Sequence, residues 1–557
     1  MRKRVSFLTL CFFLALAESN VNNGTDFSFW PSITGEQYNE DLVLRPLPDG
    51  KVVSSFTFAT FLEDAVPRDP RDVATPAQHY TLFPLTLGQI LREYSITELH
   101  LSLNAGKWNY DSWGYPEDSS VGAGAELWAW MADGGPLTID ERWTGLRNAL
   151  AGLFCASLGS IDARRTSSPV SAFPLSSQRF YPIPYALRHA ILPSEHVCTE
   201  NLTPFLKLLP CKSRAGLARL LNPQCVFDAD WHGLSVHVLS TKNGLEMQLG
   251  VQAVLDPVRG SGGKRRDWSF RSLFDRDVDI SCLVASSSAV RVVLPSSQAQ
   301  SLSPDATLLN ETVAVYNLIS QVPLDVSMSW PNEHTFQYPL PPLPPSTPLS
   351  IRRTLYGSSQ THGVLSTALS NNEDEDITVG YLETLPALVT LWMHTMRVEV
   401  GSVRRDDLVT HVSYQPPLLQ PNGQHTPSML QATLTVPAKS TLRLSIAVNK
   451  AFLKYTEHPP DAMRGWDLPP AILFPVDGSQ VSHAFNGSFA GLNSSERNGG
   501  KTIRGRMYTP TLLVDLPTPD FSMPYNVIIL SCTLMTLIFG SIFNLLTRKW
   551  VIVRFGE

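Results

Sequence analysis

The stretch Leu234-Ser-Val-His-Val-Leu-Ser-Thr-Lys-Asn-Gly-Leu-Glu-Met-Gln-Leu-Gly-Val-Gln-Ala253 decides the fold class of this 557-residue chain. On both sides of Asn243-Gly244, apolar side chains alternate with polar ones, which is the pattern of a β-strand with two different faces. Asn-Gly between two such runs favours a tight turn. The sequence therefore predicts an antiparallel hairpin here, and it predicts a β-rich protein around that hairpin.

Segments on both sides of the hairpin repeat the period of two, and helical segments lie between some of them. The segment Pro84 to Tyr94 has apolar residues at helical spacing, and a second helix is predicted from Ile139 to Leu158 because Thr138 and Glu141 form a capping-box pair. The predicted fold is mainly β with some helix, an α+β arrangement of β-sandwich-like units. The other predicted strands are Lys51 to Phe61, Glu98 to Leu103, Leu391 to Val400, Ala432 to Val436 and Leu442 to Val448.

Both ends of the chain carry apolar runs that suit a secreted and membrane-anchored protein. Residues 1–17 combine Arg2, Lys3 and Arg4 with an apolar stretch and Ala15-Leu-Ala17, and this predicts a secretory signal peptide. Residues 527–546 form 20 residues without a charge, long enough for a transmembrane helix. Basic residues follow this span, so residues 547–557 are predicted to be a cytoplasmic tail and the topology type I.

A proline-rich segment divides the region between these two runs. Pro339-Leu-Pro-Pro-Leu-Pro-Pro345 is expected to be stiff and extended, so residues 339–348 are predicted to be a linker. It would separate a first lumenal unit, residues 18–338, from a membrane-proximal β-rich unit, residues 349–526. The net charge of −6 over the whole chain is mild and argues against a nucleic-acid partner.

Five cysteines remain when Cys11 in the signal peptide and Cys532 in the span are set aside. They are Cys155, Cys198, Cys211, Cys225 and Cys282. An odd number in an oxidising compartment predicts an intermolecular bridge or a free thiol, and at most two internal disulfides. Sequons for N-glycosylation occur at Asn23, Asn201, Asn310, Asn486 and Asn493.

The residues show no complete catalytic, metal or cofactor motif. GxSxG, HExxH, CxxC and phosphate-binding loops are absent, so no catalytic residue, metal or cofactor is predicted. An alternative is an independent lumenal enzyme acting on glycans or peptides. It would use the tryptophan-rich region around Trp108 and Trp128, or the thiol and imidazole of His196-Val-Cys198. Both features are more typical of core packing and of disulfide bonding.

Several long strings resemble the PIG-T family, the lumenal scaffold subunits of the GPI transamidase of the endoplasmic reticulum. They spread over nearly the whole mature chain and include Ala151-Gly-Leu-Phe-Cys-Ala-Ser-Leu158, Leu192-Pro-Ser-Glu-His-Val-Cys-Thr-Glu-Asn-Leu-Thr-Pro204 and Leu516-Pro-Thr-Pro-Asp-Phe-Ser-Met-Pro-Tyr-Asn526. The resemblance implies a complex that attaches GPI lipids to proproteins. Its implied partners are a PIG-K-like catalytic subunit and GPAA1-, PIG-S- and PIG-U-like subunits.

The same resemblance implies particular sites. Cys198 matches the family segment that carries a disulfide to the catalytic subunit, which would leave the other four lumenal cysteines for internal pairing. Asp520, Ser522 and Asn526 match residues that line the GPI-lipid site. Met463 stands where the family has an Asn, so only its backbone or apolar side chain could contact the lipid.

Overall fold

The structure is a computed structural model. It describes residues 35–72, 80–177, 179–262, 264–295, 300–319, 321–339, 345–357, 359–421, 423–452, 465–476, 503–516, 522–553 and 556. The predicted signal peptide, the sequons at Asn23, Asn486 and Asn493, and the predicted lipid contacts Asp520 and Met463 lie outside these residues.

Strands dominate the described residues, as the alternating patterns predict. In chain order they are β1 (Glu36–Pro46), β2 (Val52–Glu63), β3 (Ile96–Ala105), β4 (Gly124–Ala132), β5 (Thr166–Ser167), β6 (Tyr185–Leu192), β7 (Trp231–Thr241), β8 (Gly244–Leu255), β9 (Trp268–Ser269), β10 (Ser287–Val293), β11 (Ser301–Ser303), β12 (Leu308–Leu309), β13 (Val313–Asn317), β14 (Ser327–Ser329), β15 (Leu349–Tyr356), β16 (His362–Asn371), β17 (Ile377–Leu385), β18 (Val389–Leu391), β19 (Arg397–Val400), β20 (Val403–Arg404), β21 (Val409–Gln415), β22 (Ser428–Val436), β23 (Thr441–Lys450), β24 (Trp466–Leu468), β25 (Ile472–Pro475), β26 (Met507–Tyr508) and β27 (Leu512–Val514).

The described helices are fewer than the strands and lie mostly in the first half of the chain. They are α1 (Leu85–Glu93), α2 (Tyr110–Trp113), α3 (Ile139–Phe154), α4 (Thr199–Leu208), α5 (Pro223–Phe227), α6 (Pro257–Gly260), α7 (Phe270–Phe274) and α8 (Ser522–Thr547). The predicted capping box of α3 is confirmed, since the Thr138 hydroxyl accepts from the Glu141 backbone N–H and the Glu141 carboxylate accepts from the Thr138 N–H. The helix ends four residues before the predicted Leu158 because Cys155 adopts a left-handed conformation with φ 54°.

The predicted hairpin is β7 and β8, and it lies near the middle of an 11-stranded sheet. Its strand order is β12-β13-β10-β1-β2-β8-β7-β3-β4-β6-β5, with antiparallel pairs except for β1 and β10, which run parallel. The turn residues are Lys242 and Asn243, because Thr241 pairs with Gly244; the predicted turn at Asn243-Gly244 is thus shifted by one residue. Gly244 has φ +147° and a Cβ there would meet the Leu62 carbonyl oxygen, so glycine is needed at this position.

Both faces of the middle of this sheet are buried, which the alternating pattern does not predict. Leu234, Val236 and Leu249 enter one hydrophobic core. The polar Ser235 and His237, on the opposite face, are also buried. That face is covered by a second core, in which tryptophans of the first sheet meet residues from beyond position 348. Trp108 and Trp128 belong to this second core, so these rings pack inside the protein.

The chain beyond residue 348 forms two facing sheets. One has the order β15-β16-β23-β19-β20, with β18 also paired to β23; the other has the order β21-β22-β17-β25-β26. The predicted strand Leu391 to Val400 is wrong in its middle, since a 3-10 turn at Met393–Thr395 separates β18 from β19. Between the sheets, the Arg353 guanidinium donates to the Glu383 carboxylate, and both side chains are buried.

Each sheet takes its strands from one side of the proline-rich segment. The 11-stranded sheet ends at Asn317, and the two facing sheets begin at Leu349. The second core nevertheless contains residues from both sides, for example Trp128 and Leu382. The division into units at 339–348 therefore stays a prediction.

The C-terminal helix α8 has the length and composition of a membrane span. Residues Tyr525–Thr547 have a mean hydropathy of 2.0. A helix of 23 residues is about 34 Å long, enough to cross a hydrocarbon core of roughly 30 Å. The apolar side chains of α8, such as Leu530 and Phe539, are exposed to the surroundings, as a lipid-embedded helix requires.

Candidate functional site

The segment around Cys198 is held by the packing of α4 against the end of α3. Cys198 is the residue immediately before α4, and Cys155 is the residue immediately after α3. Both thiols are free and exposed in this chain. The predicted site residue Cys198 is therefore accessible at a fixed position on the surface, which is what a disulfide to another chain requires.

The buried side chain of Asn201 fixes this position. Its Oδ1 accepts from the Cys198 backbone N–H at 2.7 Å. Its Nδ2 donates to the carbonyls of Phe154 and Cys155, at 2.9 and 3.1 Å. One carboxamide thus satisfies an N–H at the start of α4 and two carbonyls at the end of α3, all groups that a helix leaves without partners.

This geometry bears on the predicted sequon at Asn201. Asn201 is only 1% exposed, and both hydrogens of its amide are donated to carbonyls. A glycan would have to be attached to this nitrogen, so the folded chain has no room for it. The described sequon at Asn310 differs, because Asn310 is exposed in the connection between β12 and β13.

The remaining cysteines are only partly paired. Cys211 and Cys282 form a disulfide with a Cα separation of 5.9 Å. Cys155 and Cys225 are free in this chain, so one internal disulfide is present among the described residues, where the sequence predicts at most two. The bridge joins the segment after α4 to the loop before β10.

A cleft of about 400 Å³ adjoins the Cys198 segment. The five residues before Cys198, Pro193 to Val197, form one wall, and the segment from Tyr508 to Thr511 forms another. Lys107, Glu195 and His196 bring charged or titratable groups to its lining. No group of three or more metal-ligating side chains occurs among the described residues, in this cleft or elsewhere.

A chain of buried polar groups crosses the second core beside the cleft. The rings of His100 and His237 face each other with 2.8 Å between their Nδ1 atoms. His100 Nε2 lies 3.0 Å from Glu98 Oε1, and His237 Nε2 lies 2.8 Å from Asp118 Oδ2. The four side chains thus form one row in which each lies within hydrogen-bond distance of the next.

The surroundings shift the pKa values of two of these groups, His100 and Asp118. Burial, together with the neighbouring His237 and Arg506, lowers the pKa of His100 well below its ordinary value. Burial alone would raise the pKa of the Asp118 carboxyl, but the facing His237 lowers it below its usual range. The folded state therefore favours the neutral His100 ring and the ionised Asp118 carboxyl.

A second set of buried polar groups joins the 11-stranded sheet to the segment that leads to the span. The Tyr508 hydroxyl of β26 donates to Glu126 Oε2 of β4 at 2.8 Å, and Glu126 Oε1 lies 2.9 Å from His189 Nε2. The Arg506 guanidinium lies over the Trp128 and Phe173 rings. Tyr508 and His189 both contact the Glu126 carboxylate, so these groups act as a structural link between the two parts.

The predicted lipid-contact residues that the structure describes lie at the start of α8. Ser522 is its first residue and Asn526 its fifth, and the Asn526 side chain is exposed. Both positions therefore lie at the start of α8, just ahead of its apolar run.

The sequence prediction did not include Asn201 as a structural residue. The signal was present, because an Asn three residues after the residue that precedes α4 has the spacing of a capping box. The sequence also gives no indication that Cys155 lies near Cys198, since no sequence pattern shows that α3 and α4 pack together.

Fold and site together describe a membrane-anchored protein with one candidate span among the described residues, a large β-rich part outside it and an exposed cysteine beside a buried, hydrogen-bonded Asn. Comparison with known proteins places it further. The family model described as "Gpi16 subunit, GPI transamidase component" matches residues 25–266 and 258–556. The chain belongs to this family and is a component of the GPI transamidase, a complex with other subunits.

Named relatives agree over almost the whole length. The chain is 34% identical over 547 residues to the mouse protein "GPI-anchor transamidase component PIGT", covering 92% of this chain and 90% of that protein. The human protein of the same name is 34% identical, covering 92% and 91%. The Schizosaccharomyces pombe "GPI transamidase component PIG-T homolog" is 31% identical, covering 94% and 92%.

Proposed function

We propose that this chain is a non-catalytic scaffold of the GPI transamidase, which holds a PIG-K-like catalytic subunit in the lumen of the endoplasmic reticulum through a disulfide at Cys198. The observation that supports this best is the exposed thiol at a position fixed by Asn201. A scaffold bridge needs a thiol that is accessible and does not move relative to the fold. The other proposed partners are GPAA1-, PIG-S- and PIG-U-like subunits and the proprotein substrate.

Non-reducing electrophoresis of the complex tests the bridge. The disulfide-linked pair of chains should appear as a heavier band that disappears on reduction. We expect Cys198→Ser to abolish this band. Cys155→Ser is the matched control, since Cys155 is also exposed and touches the same Asn201 side chain. If the band persists in Cys198→Ser, or disappears in Cys155→Ser instead, the assignment of Cys198 is wrong.

We further propose that the residues before the span help to bind the GPI lipid. The head group of such a lipid lies at the membrane surface, and α8 begins at Ser522, ahead of the apolar run. Asp520 would offer a carboxylate, Ser522 a hydroxyl and Asn526 an amide to ammonium or sugar groups. Met463 would contribute only its backbone or apolar side chain.

Replacement of Asp520, Ser522 and Asn526 by Ala, singly and together, tests this role. We expect the complex to assemble while a GPI-anchored reporter is lost from the cell surface. Ser541→Ala is a control deeper in the span, because the Ser541 hydroxyl donates to Leu537 of its own helix. Normal anchoring in the triple variant would contradict the proposal.

A further inference from the structure

Besides Val403, Val412 and Val476, six larger apolar side chains between residue 348 and α8 are exposed, by 42% to 66%. They are Tyr356, Trp392, Leu418, Leu419, Phe452 and Leu513. Single exposed apolar residues are normal on a protein surface and need no explanation. A group of large ones at one place marks an interaction surface.

The strand order brings these residues to one end of the two facing sheets. Tyr356 ends β15, and Phe452 follows the end of β23 by two residues. Trp392 donates its backbone N–H to Ala447, close to that same end of β23. We call this end of the two sheets the apolar end.

The second sheet contributes its apolar residues at the same end. Leu418 and Leu419 lie in the connection between β21 and β22, where Ser428 of β22 pairs with Leu385 at the end of β17. Three residues after Leu385, the Leu388 carbonyl accepts from the Ala451 N–H, which ties the two sheets together here.

The chain also leaves for the membrane span at the apolar end. β25 pairs with β26, and β24 pairs with β27 in the same register, so the four strands form one interrupted hairpin. β25 begins opposite Leu382, near the end of β17, and the β24–β27 pair therefore continues past that end. Leu513 lies on this extension, and the seven residues 515–521 then connect it to α8. Eight Cα steps from Val514 to Ser522 span at most about 28 Å.

The opposite end of the two sheets has a different character. The acidic run Glu373 to Asp376 lies in the turn between β16 and β17, and Lys439 lies in the turn between β22 and β23. Lys439 pairs with Asp374 there. One end is thus charged and the other rich in exposed aromatic and aliphatic side chains, and Trp and Tyr are the residues that favour the boundary between lipid and water.

We propose that the apolar end of the two facing sheets rests on the lipid bilayer, with Tyr356, Trp392 and Phe452 in the interfacial layer of the leaflet that α8 enters. The span then has a second attachment to the membrane beside it, which restricts how the extramembrane part can tilt. The charged end points away from the membrane. The proposal goes beyond the scaffold and lipid-site roles, because it needs neither a partner subunit nor a bound GPI lipid.

Quenching of Trp392 by brominated lipids tests the contact. The full-length chain, alone and in the assembled complex, is placed in phosphatidylcholine vesicles whose acyl chains carry bromine near the glycerol backbone. The emission of Trp392 is obtained by subtracting the spectrum of Trp392→Phe. The control is Val403→Trp in the Trp392→Phe background, since Val403 is exposed beside the start of β23, at the charged end.

We expect brominated lipid to remove most of the Trp392 emission, in the chain alone and in the complex, and to leave the emission from position 403 of the control variant unchanged. Emission from position 392 that bromine does not reduce would overturn the proposal. Equal quenching at positions 392 and 403 would also overturn it, because neither end would then be preferred. Quenching in the chain alone but not in the complex would overturn it too, because another protein subunit would then cover the apolar end.

Discussion

The triplet Asn201-Leu-Thr203 satisfies two sequence patterns at once, a sequon and a helix start. In the structure this triplet lies in the first turns of α4, as the helix-start pattern predicts. The Asn201 carboxamide is buried and makes three hydrogen bonds that join α3 to α4 beside Cys198. A pattern of three residues cannot distinguish these outcomes, because the choice depends on α3, some 50 residues earlier in the chain.

We predict that Asn201 carries no glycan and that Asn201→Ala weakens the fold. The substitution removes three hydrogen bonds of a buried side chain, each of about 1 kcal/mol, so we expect a loss of roughly 3 kcal/mol in the free energy of unfolding. We also expect less of the interchain disulfide at Cys198. Thr203→Ala is the matched control, because it destroys the sequon while the Thr203 hydroxyl contacts only Thr199 of its own helix.

Gel mobility before and after endoglycosidase treatment checks the glycan. Thr203→Ala should migrate like the unchanged protein, whereas Asn310→Gln should lose the mass of one glycan, since Asn310 is exposed. A loss of one glycan in Thr203→Ala would contradict the prediction.

The buried His100 predicts that stability falls in acid. Burial lowers the pKa of His100, so the folded chain keeps this ring neutral while the unfolded chain protonates it below about pH 6.5. The unfolded state then binds more protons, and the free energy of unfolding decreases as the pH falls. The lowered pKa of Asp118 acts in the same direction below about pH 4.

His100→Gln should reduce this dependence, because Gln keeps one donor and one acceptor but does not titrate. Unfolding of the full-length chain in detergent, followed by tryptophan fluorescence between pH 7.5 and 5, measures the effect. The exposed His394 supplies the control variant His394→Gln. If both variants lose stability with falling pH as steeply as the unchanged chain, His100 is not the group responsible.

At the scale of elements, the sequence predicts whether a helix or strand is present better than it predicts where that element ends and what it packs against. The hairpin β7–β8, the helix α3 with its capping box and the span α8 were all predictable from local periodicity and caps. The end of α3 at Cys155 and the break between β18 and β19 depend on backbone conformations that no apolar pattern marks.

For α8 we predict that it packs against other membrane subunits through the face around Gly540. Small residues let helices approach closely in lipid. A Cβ at Gly540 meets nothing within 4 Å in this chain, so Gly540→Leu should not disturb the protein itself. We expect it to reduce recovery of the multi-span GPAA1- and PIG-U-like subunits in a pull-down.

Met535→Leu is the control for this variant, because position 535 lies roughly 140° round the helix from Gly540. Its recovery of the other subunits should equal that of the unchanged chain. Unchanged recovery with Gly540→Leu as well would indicate that α8 is a plain anchor.

At the scale of the whole molecule, the arrangement of the sheets was beyond sequence reasoning. β1 pairs with β10, about 250 positions later, and the outer face of β3, β4 and β7 is covered by strands from beyond residue 348. Periodicity reports whether a residue points to one face or the other, and it gives no information on what covers that face. For this reason the sequence predicts neither the burial of polar residues such as His237 nor the polar link through Tyr508.

The molecule as a whole has the form that a scaffold needs. One continuous network of cores and buried polar groups runs from the Cys198 surface to the strands that lead into α8. A subunit bound at Cys198 would therefore be held at a fixed position relative to the strands that precede α8. The central proposal is that this chain is a non-catalytic scaffold that holds a PIG-K-like catalytic subunit there.

Disulfide mapping at Cys198 tests that claim most directly. The complex is purified through the full-length chain, its free thiols are blocked, it is digested without reduction, and the peptide joined to Cys198 is sequenced by mass spectrometry. We predict a peptide from the protease-like catalytic subunit. A blocked free thiol at Cys198, or a bond from Cys198 to Cys155 of the same chain, would contradict the account.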